Sequence, residues 1–249
     1  EIADCNAILD ELQDCGKGEW RGYVHGHNFS GDHEGLNLQQ IYEAGTTFER
    51  LIDHPSWYHK VLHFLGTDEP NFDTHHAPCF IDENFASIRG PGQAIGLHSG
   101  GHERVMRCQF RYHDTRFHCG QINILMALND IGPGDGATMV VPGSHKSNIK
   151  HPDFGRAQMT TEHGTSVDGI TGAIEVNLAA GDAILFVDAI MHGSARRSNP
   201  GQRRIAVYRY GPSWGFFRHA YRPSAALMSR LTERQQQIVM PHKAPQHPE

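Results

Sequence analysis

A histidine and two arginines lie close together in the sequence, between and within two apolar runs at residues 186–210. The first run ends near His192, a turn of small residues that includes Ser194 follows, and the second run opens at Arg203 and Arg204. A histidine at a strand end can offer a ring nitrogen to a metal, and the planar fork of an arginine on the next antiparallel strand suits a carboxylate. A capping histidine with two surface arginines would give the same pattern, so the residues alone leave both interpretations open.

A second stretch, residues 128–148, contains the residues of two tight turns. Gly-Asp-Gly at 134–136 predicts a hairpin turn between apolar runs, and Pro-Gly-Ser-His-Lys at 142–146 predicts a turn at the far end of the next strand. The stretch is therefore expected to hold one short strand with a sharp turn at each end.

Taken together, the two stretches resemble the phytanoyl-CoA dioxygenase family of Fe(II)/2-oxoglutarate oxygenases. Members carry a glycine ahead of a Pro-Gly-Ser-His-Lys turn, and later a His-Gly-Ser turn followed at a set interval by an arginine. This sequence matches at Gly136, 142–146, 192–194 and Arg203. The resemblance covers roughly residues 78–212 and implies a mainly β fold with flanking helices, the double-stranded β-helix (jelly roll) of cupin-like proteins.

By this resemblance His192 is the distal ligand of a ferrous iron, and Arg203 pairs with the far carboxylate of 2-oxoglutarate with help from Ser194. Arg204 is the alternative partner, but strand alternation sends it to the opposite face from Arg203. The implied activity is hydroxylation of a small organic molecule with O2, releasing succinate and CO2, where iron and co-substrate carry the chemistry and the protein supplies orientation.

Strand alternation also indicates what else would line the pocket. The resemblance places a 2-oxoglutarate contact at Leu125, and Gln121 and Asn123 then share its inward face. A buried amide needs a hydrogen-bond partner, since leaving it unpaired costs about 1–3 kcal/mol. Oxygens of the keto acid or the substrate would satisfy the two amides, and so would neighbouring polar side chains or ordered water. Four further residues are candidates for the pocket wall: Phe85, Arg89, Trp214 and Arg218.

The proximal iron ligands depart from the family pattern, which is His-x-Asp or His-x-Glu. The best placed histidine is His98, but the residue two positions after it is Gly100. In one interpretation the carboxylate is missing and the position stays open, as in related enzymes that bind chloride there and halogenate their substrates. In a second, a carboxylate from elsewhere completes the site, with Glu103 and Asp114 the nearest. In a third, the site no longer catalyses a reaction.

The predicted metal ligands are thus His98, His192 and Glu103, since ferrous iron in such oxygenases is held by two histidines and one carboxylate. A turn through residues 99–101 would bring Glu103 back toward the metal. His102 is a substitute for His98, although it also lacks a carboxylate two residues later. The predicted cofactors are Fe(II) and 2-oxoglutarate, with chloride as a further possibility.

Helical spacing predicts elements at both ends of the chain. Residues 1–14 are expected to form one helix, 38–65 two more, and 224–238 a closing helix. Because the numbering opens inside the first of these helices, we expect further residues to precede it.

Between these helices the pattern shortens to strand-length apolar runs separated by glycine and proline turns, which predicts a β-helix core at about 78–212. The predicted strands are 79–88, 120–131, 137–143, 172–178, 183–191 and 204–212. The whole chain, 1–249, is expected to be a single oxygenase domain, helical over 1–66 and closing over 213–249. The polar segment 147–171 is expected to be a lid or substrate loop.

Composition excludes several classes of protein. The 249 residues carry a formal net charge of -6 without a block of like charges, which argues against a nucleic-acid or membrane-surface partner. No apolar run approaches the roughly 20 residues that cross a bilayer, and residues 1–30 lack the layout of a signal peptide. The five cysteines are scattered, so a reduced, cytoplasmic protein is expected, with a small-molecule substrate as its partner. The oligomeric state is not readable.

Two interpretations compete with an oxygenase. The absent carboxylate is compatible with a non-catalytic barrel that binds a small ligand or a partner protein. A cupin-like metal enzyme that needs no keto acid is the other, and it differs in requiring no arginine at position 203 for activity.

Overall fold

The computed structural model describes residues 1–27, 32–68, 77–154, 166–214 and 221–241. The strands in these ranges form two larger antiparallel sheets that enclose a cavity between them, and helices cover the outer surface of the seven-stranded sheet. This architecture is a double-stranded β-helix, mainly β with flanking helices, and the predicted fold class is confirmed.

The strands are short, and all of their pairings in the described ranges are antiparallel. In chain order they are β1 (Trp20–Arg21), β2 (Val24–Gly26), β3 (Leu36–Gln39), β4 (Phe80–Arg89), β5 (Ile95–His98), β6 (Phe110–His113), β7 (Arg116–Cys119), β8 (Ile122–Ala127), β9 (Thr138–Val140), β10 (Ile174–Val176), β11 (Ala183–Val187), β12 (His192–Ser194) and β13 (Arg203–Gly211). The seven-stranded sheet has the order β1-β2-β3-β4-β13-β8-β11, the four-stranded sheet has the order β10-β9-β12-β5, and β6 pairs with β7 as a separate hairpin.

The helices of the described ranges come from both ends of the chain. They are α1 (Ile2–Leu12), α2 (Thr46–Glu49), α3 (Tyr58–Leu65), α4 (Ala225–Arg230) and α5 (Glu233–Val239), and short 3-10 turns lie at Asp32–Glu34, Ile41–Ala44, Met106–Cys108 and Ser144–Lys146. Their apolar faces form one core with the outer face of the seven-stranded sheet. None of these helices combines the length and apolarity needed to cross a membrane.

Strand alternation assigns the two faces of the large sheet as predicted. On β8, Ile122, Ile124 and Met126 belong to the core beneath the helices, whereas Leu125 belongs to the smaller cluster between the sheets. The face beneath the helices is closed by apolar burial, and each fully buried side chain of this size contributes roughly 1.5–3 kcal/mol. The inward face is consequently the one left to carry functional residues.

The prediction of two helices over 38–65 is wrong at its start, whereas a 3-10 turn at Ile41–Ala44 and α2 lie where the rest of the first helix was expected. Residues 36–39 form β3, in which Leu36 and Leu38 face the helical side and Asn37 and Gln39 alternate with them. This stretch is too short for periodicity to separate a strand from a helix, and pairing with β4 decides it. The second half is confirmed by α3, and the predicted closing helix is present as α4 and α5, divided at the capping residue Thr232.

Candidate active site

A cavity of about 450 Å³ lies between the two sheets. One wall is the inward face of β3, β4, β8 and β13, and the other comes from β5, β9 and β12. Five of the predicted site residues line this one cavity: His98, His192, Arg203, Ser194 and Leu125. The fold therefore brings together residues that are far apart in the sequence.

The two histidines face each other across neighbouring strands. His192 of β12 pairs with His98 at the end of β5, and their ring centroids are 4.1 Å apart. Nδ1 of His98 bonds the carbonyl of Gly96 at 2.9 Å, and Nδ1 of His192 bonds the carbonyl of Ile190 at 2.7 Å. These bonds place the proton on Nδ1 and leave each Nε2 with a lone pair, as metal-binding histidines require.

Burial keeps both rings neutral. Desolvation, together with the neighbouring His192, lowers the pKa of His98 to about 3, and desolvation also lowers the pKa of His192. A neutral imidazole is the form that coordinates a metal, so the pair is ready to bind without first losing protons near neutral pH.

Arg203 carries an unsatisfied positive charge into the same cavity. Arg203 is 1% exposed, and its Nη2 donates to Thr138 Oγ1 at 2.9 Å. Its Nε and Nη1 have no hydrogen-bond partner among the described residues. Burial, with help from Arg89 and Arg197, holds the pKa of Arg203 well below its usual value. A buried guanidinium with two unpaired N–H groups is costly unless an anion meets it, and a carboxylate has the matching geometry.

Ser194 is held beside this arginine with its proton available. Its Oγ accepts from Arg89 Nη1 at 2.5 Å and from the Ile95 backbone N–H at 2.8 Å. Arg89, whose pKa burial lowers to about 10, also donates from Nε to the Glu34 carbonyl at 3.0 Å. Because both neighbours of Ser194 are donors, its hydroxyl proton is left to point at an acceptor in the cavity. Arg89 and Phe85 line the wall, as predicted.

The inward face of the large sheet is arranged in rows. Arg203 lies opposite Arg89 in a basic row, and Val207 lies opposite both Phe85 and Leu125 in an apolar row. Phe186 lies opposite Asn123, one row beyond the apolar row, and its ring centroid is 5.0 Å from that of His192. His192 therefore stands on the side of the apolar row that is away from the basic row.

A polar row follows the apolar row on the side away from Arg203. Arg209 lies opposite Glu83, donates to its Oε2 at 2.6 Å and stands 5.1 Å from the Phe85 ring centroid. Gln39 Nε2 donates to Glu83 Oε1 at 3.0 Å and to Asn37 Oδ1 at 2.9 Å. Arg209 is among the charges that lower the pKa of both cavity histidines, as expected from a position near them.

Comparison with known proteins agrees with this arrangement. Residues 3–205 match the family model described as phytanoyl-CoA dioxygenase. The chain belongs to the phytanoyl-CoA dioxygenase family. The dioxygenase cdmD from Talaromyces verruculosus is 31% identical over 176 residues, which are 70% of this chain and 49% of the relative. The chain thus spans about half the length of that curated relative.

Solved structures share the fold of this phytanoyl-CoA dioxygenase family member. HygX from Streptomyces hygroscopicus, with nickel and 2-oxoglutarate bound, is 22% identical with a TM-score of 0.67, covering 97% of this chain and 87% of its own. The α-ketoglutarate-dependent epimerase SnoN from nogalamycin biosynthesis is 15% identical with a TM-score of 0.55, covering 85% and 72%. These likenesses show the fold, and residue roles depend on the geometry of this chain.

The predicted keto-acid contacts of Gln121 and Asn123 require correction. Both residues share the inward face with Leu125, but neither lines the cavity. Gln121 Nε2 donates to Asp82 Oδ2, and Asn123 Nδ2 donates to Asp188 Oδ1, each at 3.1 Å. Two buried carboxylates beyond the cavity accept hydrogen bonds from the two amides. The amides are therefore satisfied by neighbouring polar side chains, which was the alternative to keto-acid or substrate oxygens.

Gly100 faces away from the histidine pair. Ser99 has a φ of 60° and Gly100 a φ of 129°, so the alternation that would aim a residue two after His98 into the cavity is broken. A Cβ on Gly100 would meet His102 Nδ1 at 2.7 Å and Met191 Cγ at 2.8 Å. Met191 belongs to the cluster on the outer side of the four-stranded sheet. A side chain at position 100 would therefore project outward in this backbone.

The structure does not bring Glu103 to the histidine pair. The Glu103 side chain is 37% exposed, and its Oε1 lies 3.5 Å from His102 Nε2. His102 itself packs against Phe154 outside the cavity, and Asp114 lies in the turn between β6 and β7. Within the described ranges, no group of three or more His, Cys, Asp or Glu side chains is arranged to hold a metal. The third ligand is thus not supplied by a residue predicted from the sequence.

Two further predictions concern the pocket wall. Trp214 is exposed and lines a separate cavity beside the β6–β7 hairpin, so it does not reach the histidines. Arg218, and residues 155–165 of the predicted loop 147–171, lie outside the described residues. The sequence did not indicate Arg209, Glu83 or Thr138, because a charged or hydroxyl residue on a strand resembles any solvent-facing position until the pairing register is known.

Replacing Gly100 with aspartate is expected to destabilise the protein without tightening metal binding. An L-residue at this φ costs on the order of 1–3 kcal/mol, and the new side chain would also displace His102 and Met191. Urea unfolding and Ni(II) titration would measure the two quantities. Gly143→Asp is the matched control, because Gly143 also has a positive φ but open space around it. Tighter Ni(II) binding by the Gly100 variant would show that this position reaches the metal.

Proposed function

We propose that the chain is a Fe(II)- and 2-oxoglutarate-dependent oxygenase that hydroxylates a polar small molecule. The observation that carries this proposal is Arg203, a buried guanidinium with two unpaired N–H groups in the cavity that holds two neutral, facing histidines. A carboxylate anchor and a pair of metal donors in one cavity of about 450 Å³ match a keto acid that binds a metal at its other end.

Nε2 of His98 and Nε2 of His192 would hold the iron, and Arg203 with Ser194 would hold the far carboxylate of 2-oxoglutarate. When bound, the metal and keto acid supply O2 activation and hydrogen-atom removal, chemistry that protein side chains lack. The balance is substrate C–H plus O2 plus 2-oxoglutarate giving substrate C–OH, succinate and CO2. The carboxylate or solvent that fills the third ligand position would come from outside the described side chains.

The chain's own residues orient the co-substrate and exclude water from it. Leu125, Val207 and Phe186 form an apolar wall between the anchoring arginine and the polar row. Along this wall the methylene groups of a keto acid would pack, while its charged ends meet Arg203 at one side and the histidine pair at the other. A dry wall also strengthens the anchoring ion pair, because the local dielectric is low.

The polar row on the side away from Arg203 favours a hydrophilic substrate. Glu83, Arg209 and Asn37 line that part of the cavity, and Gln39 supports them. Paired donors and acceptors of this kind suit the hydroxyl and amino groups of a sugar-like molecule better than an acyl chain. HygX, which shares the fold, has been crystallised with hygromycin B bound, and this is in keeping with a polar substrate here.

The test is an anaerobic titration of the purified protein with Fe(II) and then 2-oxoglutarate, followed by visible absorption. The expected result is a charge-transfer band that requires both additions and saturates with 2-oxoglutarate. Iron-dependent formation of succinate after admission of O2 would follow. Retention of iron without a response to 2-oxoglutarate would favour a cupin-like metal enzyme, and no iron binding would favour a non-catalytic barrel.

A halogenase is the second candidate function, and the absence of a third side-chain ligand among the described residues favours it. A metal held by two histidines keeps one more open position than a metal held by the usual triad, and chloride could occupy it. Chloride added to the anaerobic complex would then shift the charge-transfer band with a saturable dependence. An unchanged band at all chloride concentrations would leave hydroxylation as the function.

A further inference from the structure

A buried carboxylate that has no part in co-substrate binding lies next to both histidine-bearing strands. Asp188 directly follows β11, precedes His192 by one turn, and is 1% exposed. Four side chains converge on it: Arg107 through Nη1, Ser99 through Oγ at 3.3 Å, Asn123 through Nδ2 at 3.1 Å and Cys108 through Sγ at 3.5 Å. A carboxylate buried to this degree is stable only with such a set of partners.

One of these partners, Ser99, lies directly after the strand that carries His98. Ser99 directly follows His98 and has a φ of 60°, a conformation that costs a non-glycine residue on the order of 1–3 kcal/mol. Its hydroxyl donates to Asp188 Oδ2 at 3.3 Å and accepts from Arg107 Nη1 at 3.0 Å. Asp188 and Arg107 therefore hold the strained turn that ends β5 and sets the direction of the His98 side chain.

The turn that contains Asp188 also leads to His192. The backbone N–H of Asp188 donates to the Gln121 carbonyl at 3.0 Å, and Ile190 N–H donates to the Val187 carbonyl at 3.0 Å. This turn presents the Ile190 carbonyl that accepts from His192 Nδ1. Asp188 is thus part of the turn that holds His192, its carboxylate holds the residue after His98, and its charge acts on both rings.

The absence of a carboxylate ligand makes this arrangement more important. In a site with a His-x-Asp strand, the third ligand itself ties the two histidines together through the metal. Here residue 100 faces outward, and within the described ranges no third His, Cys, Asp or Glu is arranged with the pair to hold a metal, although the charge of Asp188 acts on both rings. With two donors the affinity for a metal depends more strongly on how well those donors are placed beforehand.

We propose that Asp188 and Arg107 are positioning residues of the metal centre, which hold His98 and His192 at the separation that a shared metal requires. The proposal rests on the proposed function in one respect, namely that the histidine pair binds a metal. It assigns Asp188 to the layer behind the ligands, as an outer support and not as the third ligand.

The experiment compares Ni(II) and Co(II) binding by wild type and Asp188→Asn, with each metal added alone in the absence of keto acid. Asp188→Asn keeps the shape of the side chain but removes the charge and one acceptor oxygen that Arg107 and Ser99 use. We expect Ni(II) affinity to fall by about 10–100-fold, as for other residues that orient metal ligands. The visible Co(II) spectrum is expected to change in band position, which a general loss of stability would not cause.

The matched control is Asp82→Asn. Asp82 is also buried and accepts at 3.1 Å from the amide of Gln121, which directly precedes β8, but it is not among the charges that act on the two histidines. Its variant is expected to bind Ni(II) as wild type does. Ser99→Ala is a second, milder variant that buries no unpaired charge, and it is expected to weaken Ni(II) binding several-fold in the same direction.

Each result decides the matter. Unchanged Ni(II) affinity and an unchanged Co(II) spectrum in both Asp188→Asn and Ser99→Ala would overturn the proposal while leaving the metal site intact. Equal weakening by Asp82→Asn would attribute the effect to lost stability and also overturn it. A wild-type protein that binds no metal at all would instead refute the proposed function, and the positioning role with it.

Discussion

Arg203→Ala is expected to abolish 2-oxoglutarate binding while leaving Ni(II) or Fe(II) binding close to that of wild type. The guanidinium is buried, donates to Thr138 and offers two further N–H groups that no described residue uses. Removing one partner of a buried ion pair costs about 3–5 kcal/mol, which corresponds to a loss of affinity of roughly a hundredfold to several thousandfold. The charge-transfer titration measures this loss directly.

Thermal unfolding of wild type and of a second variant at position 203 gives an independent readout. In wild type, 2-oxoglutarate at about a hundred times its Kd should add about 2.7 kcal/mol to the free energy of unfolding. Arg203→Met, which retains volume, should lose this gain. Without ligand it should be at least as stable as wild type, because it removes a buried charge that Arg89 and Arg197 repel.

Arg204→Ala is the matched control for this experiment. Arg204 is the next residue, but it points to the outer face, where Nη2 donates to Asp10 on α1 at 2.7 Å. Its removal is expected to leave 2-oxoglutarate binding unchanged. If both variants bound the keto acid as wild type does, the assignment of the co-substrate anchor would be wrong.

His98→Ala and His192→Ala are expected to remove metal binding altogether, each by itself. The rings of His98 and His192 face each other in the cavity, and loss of either leaves a single histidine of this pair, whose affinity for Fe(II) or Ni(II) is weak. The measurement is metal content after dialysis, with isothermal titration of Ni(II) for the affinity.

Two other histidines test the specificity of that result. His145 packs edge-on against Phe110 with ring centroids 4.6 Å apart, and His102 packs against Phe154 outside the cavity. Their alanine variants should keep the metal. Metal retention by His98→Ala combined with loss in His102→Ala would make His102 the ligand, which was the alternative left open by the sequence.

Much of the fold could be predicted from the sequence because the relevant signals are local. Alternation on β8 separates Ile122 and Ile124 from Leu125, and alternation on β13 separates Arg203 from Arg204, with the structure agreeing in both cases. Side chains on a strand alternate with a period of two whatever surrounds them. Glycine and proline turns marked the ends of the runs, so most of the core strands were placed within a few residues.

The outer supports of the site could not be found in this way. Asp188 has contacts that come from three separate parts of the chain, and its type and position in the sequence do not distinguish it from a solvated acid after a strand. Gln121 and Asn123 lie on the predicted face of the sheet. Whether their amides reach the cavity depends on the carboxylates of Asp82 and Asp188, which bind them instead. Such contacts follow from packing between sheets, which has no short-range signature.

By itself the sequence determined most of the core strands, the alternation of side chains on β8 and β13, and the identity of the two residues, His192 and Arg203, beside neighbouring apolar runs. Only the tertiary structure decided that His98 stands opposite His192, and that position 100 turns outward through the positive φ of Ser99. The physical reason is that alternation is a property of each strand alone, whereas pairing register and backbone strain depend on contacts with distant residues.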